Sequence, residues 1–163
     1  MLEAWARLRA EGKTGGKKLL IGGEYYGNKE KYDTLIRSLG LADEVIVHDR
    51  YIDENEVRHY FGAADLVVQP YKSATQSGVT QIAYHFGVPM VVTRVGGLPE
   101  IVPDGRTGYV VDVDPGAIAE AIARFYDQRK AEEFRACIGI EKKRFGWEAL
   151  TGTFFRLYEE IEK

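Results

Sequence analysis

The stretch DLVVQPYKSATQSGVTQIAYHFGVPMVVTRVGGLPEIV, Asp65 to Val102, decides the fold, because it reads without a gap as strand, polar loop, helix, strand and glycine loop. Asp65 to Gln69 is a short β-branched run closed by Pro70. It fits a buried parallel strand, since proline has no N–H with which to continue a ladder. Tyr71 to Gln76 forms a loop beyond that strand's carboxyl end. Ser77 is placed to cap the next helix, whose apolar positions Val79, Ile82, Ala83 and Phe86 recur at helical spacing. Gly87 and Pro89 stop that helix before a second strand, Met90 to Thr93.

This order builds an anion-binding cleft. The first-turn N–H groups at Gly78 and Val79 lack intrahelical acceptors and carry the positive end of the helix dipole, which favours a phosphate or carboxylate. Lys72, Ser73, Thr75, Gln76 and Ser77 add a cation, three hydroxyls and an amide. They stand where open parallel sheets hold ligands, beyond the strand ends. A plain βαβ unit with a capping serine would show the same element order; the polar loop argues against it.

Outward from this segment, helix and strand alternate. Glu3 to Arg9 reads as a helix and Lys18 to Ile21 as a strand, followed by a glycine turn. Tyr32, Leu35, Ile36 and Leu39 mark an apolar helix face that ends at Gly40, and Glu44 to Val47 is the next strand. Asp53 and Glu56 have the spacing of a capping box for a helix through Phe61, leaving Asp49 to Ile52 as a strand-exit loop. Tyr109 to Val111 supplies a last strand. Ile118, Ile122, Phe125 and Tyr126 line one late helix, and Trp147, Leu150, Phe154, Leu157, Tyr158 and Ile161 line the C-terminal one. Such alternation predicts an α/β fold, a Rossmann-like parallel sheet with helices on both faces.

Composition narrows the function. With 163 residues, 45% hydrophobic, the chain suits one domain with a sizeable core. A formal net charge of −3 argues against nucleic acid as partner. Cys137 is the single cysteine, so neither an internal disulfide nor a cysteine-based zinc site can form, and a reducing cytoplasm is expected. No apolar run approaches the roughly 20 residues needed to span a bilayer, so any membrane contact is expected to be peripheral, at the inner face. No GxGxxG follows a strand, which argues against a nicotinamide dehydrogenase.

SGVTQIAYHFGVPMVVTRVGGLPEIVPDGRTGYVVD, from Ser77 onward, resembles the nucleotide-sugar-binding segment of the retaining family-4 glycosyltransferases, which have the two-domain GT-B fold. LLIGGE from Leu19, EVIVHDRYIDENEVRHYFGAAD from Glu44 and FGWEALTGTFFRLYEEI from Phe145 resemble further blocks of that family in the same order. Nearly the whole chain is covered, and GGLPEIV followed by DGRTGYVV is the most specific part. The resemblance implies the C-terminal, donor-binding half of such an enzyme, without metal or other cofactor, acting in polysaccharide biosynthesis. Its partners would be a nucleoside diphosphate sugar and, through an N-terminal domain, a glycan or lipid-linked acceptor.

Several residues take roles from this resemblance. Gly23 and Glu24 match the nucleotide-facing turn, Arg50, Tyr51 and Ile52 the loop around the base, and Lys72, Thr75, Gln76, Ser77, Gly78 and Val79 the diphosphate site. Gly96 and Gly97 let the backbone approach the cleft closely, and Glu100 follows them on a short helical turn. No catalytic residue is assigned, and His48, His59 and His85 are left out of the chemistry. Two glutamates common among relatives align with Ala74 and Ile82, so the usual sugar and ribose contacts do not carry over. Thr75, Gln76 and Ser77 are the nearest substitutes.

The chain also starts after the family's first strand, which in Rossmann order lies between the second and fourth. Two unpaired strand edges are therefore expected, near Leu19 to Ile21 and Asp65 to Gln69, with self-association through them. The expected activity is retaining sugar transfer, with this piece inactive alone. The alternatives are another GT-B enzyme, such as a sugar-nucleotide epimerase, and a non-enzymatic nucleotide-binding domain.

Overall fold

The structure is a computed structural model describing residues 1–161. Five strands, β1 (Leu19–Gly22), β2 (Val45–His48), β3 (Val67–Gln69), β4 (Met90–Thr93) and β5 (Gly108–Val111), alternate with helices. The helix α1 (Leu2–Ala10) precedes them, and between them lie α2 (Lys29–Ser38), α3 (Glu54–Ala63), α4 (Gly78–Phe86) and the single turn α5 (Leu98–Ile101). Three more close the chain: α6 (Pro115–Asp127), α7 (Ala131–Glu141) and, after a 3-10 turn at Lys142–Phe145, α8 (Trp147–Ile161).

Local chemistry starts the helices. The Asn28 side chain accepts from the Lys31 amide ahead of α2, and Asp114 accepts from Ala117 with Pro115 at the first helical position of α6. Asp53 and Glu56 form the expected capping box on α3. β4 is the central strand of its sheet and its four residues are all buried, with Met90 and Val92 facing one side and Val91 the other. That alternation follows from the two-residue period of a strand covered on both faces.

All strand pairing is parallel, as the sequence predicts, but it divides into two sheets: β1 with β2, and β3, β4 and β5 in that order. Among the described residues no strand pairs with the free edges of β1 and β3. Side chains, rather than a ladder, join the two sheets. Leu2, Trp5 and Leu8 of α1 sit in one core with Ile36, Leu41 and Val45 from the β1–β2 side and Val91, Tyr109, Ile118 and Ile122 from the other. The Trp5 Nε1–H donates to Glu44 Oε2 at 2.9 Å and Arg9 Nε lies 3.3 Å from Glu44 Oε1, pinning α1 beside β2. Arg9 also donates to the Gly40 carbonyl. A second core, built on Ala83, Tyr84, Met90, Val92, Leu98, Val102, Val110 and Ile138, covers the opposite face of the three-stranded sheet.

Three expectations are corrected. The inward face of α4 is Thr80, Ala83 and Tyr84; Val79 and Phe86 are partly exposed instead. The cause is a polar anchor, since the Tyr84 hydroxyl donates to the Ile101 carbonyl at 2.6 Å and rotates the helix toward α5. The apolar stripe of α8 is present, yet none of its described residues is buried. Finally, α7 was absent from the sequence assignment. Its Phe134 and Ile138 are buried, but Glu141 shares that face and Ile140 points outward, which blurs the period.

Candidate functional site

The loop between β3 and α4 emerges at the carboxyl end of its sheet, as expected. Ser77 takes the N-cap position with extended backbone (φ −138°, ψ 122°), but its side chain makes no capping bond. This corrects the expected serine cap. Ser77 Oγ instead lies 3.3 Å from the Tyr71 hydroxyl, inside the loop. The amides of Gly78 and Val79 are therefore left with neither an intrahelical acceptor nor a side-chain cap. Gly78 faces open space, and Lys72, Ser73, Thr75 and Gln76 are exposed around it.

The Met1 ammonium is held below its usual range chiefly by burial, opposed by Glu3 and reinforced by the Lys72 charge. The uncapped N-terminus of α4 and Lys72 together put positive potential in this loop.

Gly96 and Gly97 bring their backbone against the loop. A Cβ on Gly96, whose φ is +52°, would collide with the Ala74 carbonyl, and the Gly97 amide donates to the Thr75 carbonyl at 2.9 Å. Backbone meets backbone there, which only glycine permits. Glu100 is exposed on α5, with its amide bonded to the Gly97 carbonyl at 3.2 Å.

Gly23, Glu24, Arg50, Tyr51 and Ile52 assemble separately, at the carboxyl end of the β1–β2 sheet. The Gly23 amide donates to the His48 carbonyl at 3.1 Å. Arg50 grips Glu56 with two hydrogen bonds of 2.6 and 2.7 Å. That contact drives the Glu56 carboxyl down to about 2 and raises the Arg50 guanidinium further. Lys29 and Asp49, 2.8 Å apart, tie the start of α2 to the loop after β2, and the lysine's hydrogen bond holds the Asp49 carboxyl below its ordinary range. Tyr51 and Glu24 are exposed and Ile52 is half-buried. His48 Nδ1 lies 2.6 Å from the Tyr60 hydroxyl. A cavity of about 370 Å³ runs between α3 and α4, lined by Glu54, Val57, Gln81, Ile82, His85 and Phe86. Among the described residues no three metal-ligating side chains cluster, and no helix is long and apolar enough to cross a membrane.

Beneath the loop lies a polar network that the sequence analysis missed. Gln69, Thr80 and Thr93 are each at most 2% exposed. Thr93 Oγ1–H donates to the Tyr71 carbonyl at 2.6 Å, with the Gln69 carbonyl 3.3 Å away, and Thr80 Oγ1–H donates to Gln69 Oε1 at 3.3 Å. Its only trace in the sequence is a polar residue inside each of three apolar runs.

Comparison with known proteins settles the family. Residues 1–128 match the family described as Glycosyl transferases group 1. The chain belongs to that family. Among curated group 1 relatives, the D-inositol 3-phosphate glycosyltransferase of Paenarthrobacter aurescens (strain TC1) is 34% identical over 127 residues, covering 77% of this chain and 31% of the relative. That of Arthrobacter sp. (strain FB24) is 31% identical over 151 residues, covering 91% of this chain and 36% of the relative. The chain thus spans about a third of the length of these glycosyltransferases. Sucrose-phosphate synthase from Thermosynechococcus elongatus superposes with a TM-score of 0.79 at 25% identity, over 98% of this chain and 42% of that one. Anabaena Alr3699/HepE, solved with UDP, gives 0.78 at 18% identity, over 98% and 44%. The group 1 chain therefore has the α/β architecture of GT-B glycosyltransferases.

Proposed function

We propose that the loop Lys72–Ser77 and the N-terminus of α4 bind the diphosphate of a nucleoside diphosphate sugar, and that this chain is the donor-binding, C-terminal half of a retaining GT-B glycosyltransferase. One observation carries the reading: Ser77 leaves the amides of Gly78 and Val79 uncapped, in a polar loop beside Lys72. UDP in the HepE structure and in that of the pneumococcal O-GlcNAc transferase GtfA supports the ligand class. The sugar would leave from the diphosphate, whose growing negative charge is met by Lys72 and by amides fixed in advance, the kind of electrostatic stabilisation that dominates such reactions. In this reading no metal is called for. Arg50 holds the base-side loop in shape through Glu56, and the base and sugar lie toward Tyr51 and the α3–α4 cavity. The acceptor, a glycan or lipid-linked sugar, would be held by the rest of the enzyme. The curated relatives' names add a phosphorylated inositol to the acceptors to be tried.

Gly78→Pro tests the site. Proline suits the first helical position, and the extended backbone of Ser77 is the conformation a following proline prefers, so only one N–H is lost. UDP affinity measured by calorimetry is expected to fall by about 1.5 to 3 kcal/mol, the worth of a charge-assisted hydrogen bond. Unchanged affinity in a folded variant overturns the reading.

A further inference from the structure

We propose that Thr93 and Thr80, neither of which reaches the cleft surface, are positioning residues that hold the donor loop in its binding shape before a ligand arrives. The proposal rests on the diphosphate site described above. The loop's middle has little apolar substance: Lys72, Ser73, Thr75 and Gln76 are exposed, and only Tyr71 and Ala74 reach the second core. A segment so built stays mobile unless its backbone is tied down. Here it is tied at each end and in the middle. Thr93 holds the Tyr71 carbonyl at 2.6 Å, the Gly97 amide holds the Thr75 carbonyl at 2.9 Å, and the Thr80 amide holds the Ser77 carbonyl at 3.2 Å. Thr80 Oγ1, in the first turn of α4, is fixed in turn by Gln69 of β3.

Two of these ties are side-chain hydroxyls withdrawn from water, where a hydrogen bond meets little competition and its loss leaves a buried acceptor unpaired. The amides of Gly78 and Val79 are thereby aimed by residues that never touch the ligand. Amides aimed in advance need no reordering when charge arrives, which is the source of their advantage.

Thr93→Val and Thr80→Val keep the volume and remove the hydroxyl. Thr107→Val is a matched control: Thr107 is fully buried and lies 3.2 Å from the Tyr84 hydroxyl, but at the amino end of the strands. Hydrogen exchange of the unliganded protein is read at the Gly97 and Thr80 amides, and UDP affinity is read by calorimetry. Both loop variants are expected to speed exchange at those amides and to weaken UDP binding roughly tenfold. The control should lower the melting temperature without either effect, and Thr93→Ser should restore both. Equal behaviour of the loop variants and the control overturns the proposal and makes the threonines ordinary core residues. Should the unmodified protein fail to bind UDP while the exchange pattern appears as described, the pinning stands and the diphosphate reading falls. If Thr93→Val does not fold, Thr80→Val and Thr93→Ser decide on the same two readouts.

Discussion

Lys72 is the only cation between β3 and α4, and among the described residues no carboxylate pairs with it. An unpaired lysine at the mouth of a cleft either serves solubility or meets a ligand, and ligands of graded charge separate the two. Lys72→Ala is expected to weaken UDP binding by about 1 kcal/mol, a modest figure because the ammonium stays wetted. Uridine binding should hardly change, and the salt dependence of UDP affinity should flatten. Equal losses for both ligands return Lys72 to the surface. Residues of this kind are legible in a sequence, since a lysine, hydroxyls and a glycine between a strand and a helix state their chemistry locally. Gln69, Thr80 and Thr93 are not, because their partners lie 11 to 24 residues away and only the folded sheet brings them together. The charge of Arg50 is likewise plain in the sequence, whereas its pairing with Glu56 shows only in the fold.

The N-terminus of α3 concentrates this second kind of interaction in one element. Glu56 closes the capping box and also binds Arg50, so its folded carboxyl titrates near pH 2 rather than at its ordinary value of 4.5. A carboxyl lowered on folding stabilises the protein wherever it is ionised, above about pH 4.5, and that contribution is lost as pH falls toward 2. Melting temperature is therefore expected to drop more steeply between pH 4.5 and 2 in the unmodified protein than in Glu56→Gln. The difference should be small for a pair this exposed; parallel slopes mean that the pair contributes nothing. Elements such as α3, whose capping residues announce them, were readable to within two residues of their ends. The strands were too, since each is a short, mostly apolar run between turn signals. α8 shows the opposite limit: its apolar stripe is legible in Trp147, Leu150, Phe154 and Leu157, but a stripe does not say what covers it.

At the scale of the whole molecule the division into two sheets matters most. Leu20 of β1 and Ile46 of β2 are cross-strand neighbours, 40% and 44% exposed, beside the free ladder edge of β1. Exposed edges with apolar neighbours invite pairing between chains. Sedimentation velocity is expected to show concentration-dependent association that Leu20→Lys abolishes; a monomer at every concentration rules it out. That the fold was α/β with parallel strands followed from the alternation of elements, whereas the sheet's interruption depends on which edges find partners. What spans the interruption is α1, held by Glu44 on one flank and by α6 on the other. The order of events during synthesis follows from this. Once synthesised, α1 must wait for α6, roughly 100 residues further on and, at ~5 to 20 residues per second, on the order of 5 to 20 seconds, before its groove is complete. Until then Leu2, Trp5 and Leu8 remain uncovered on the α6 side, which makes this helix a natural landing place for a chaperone.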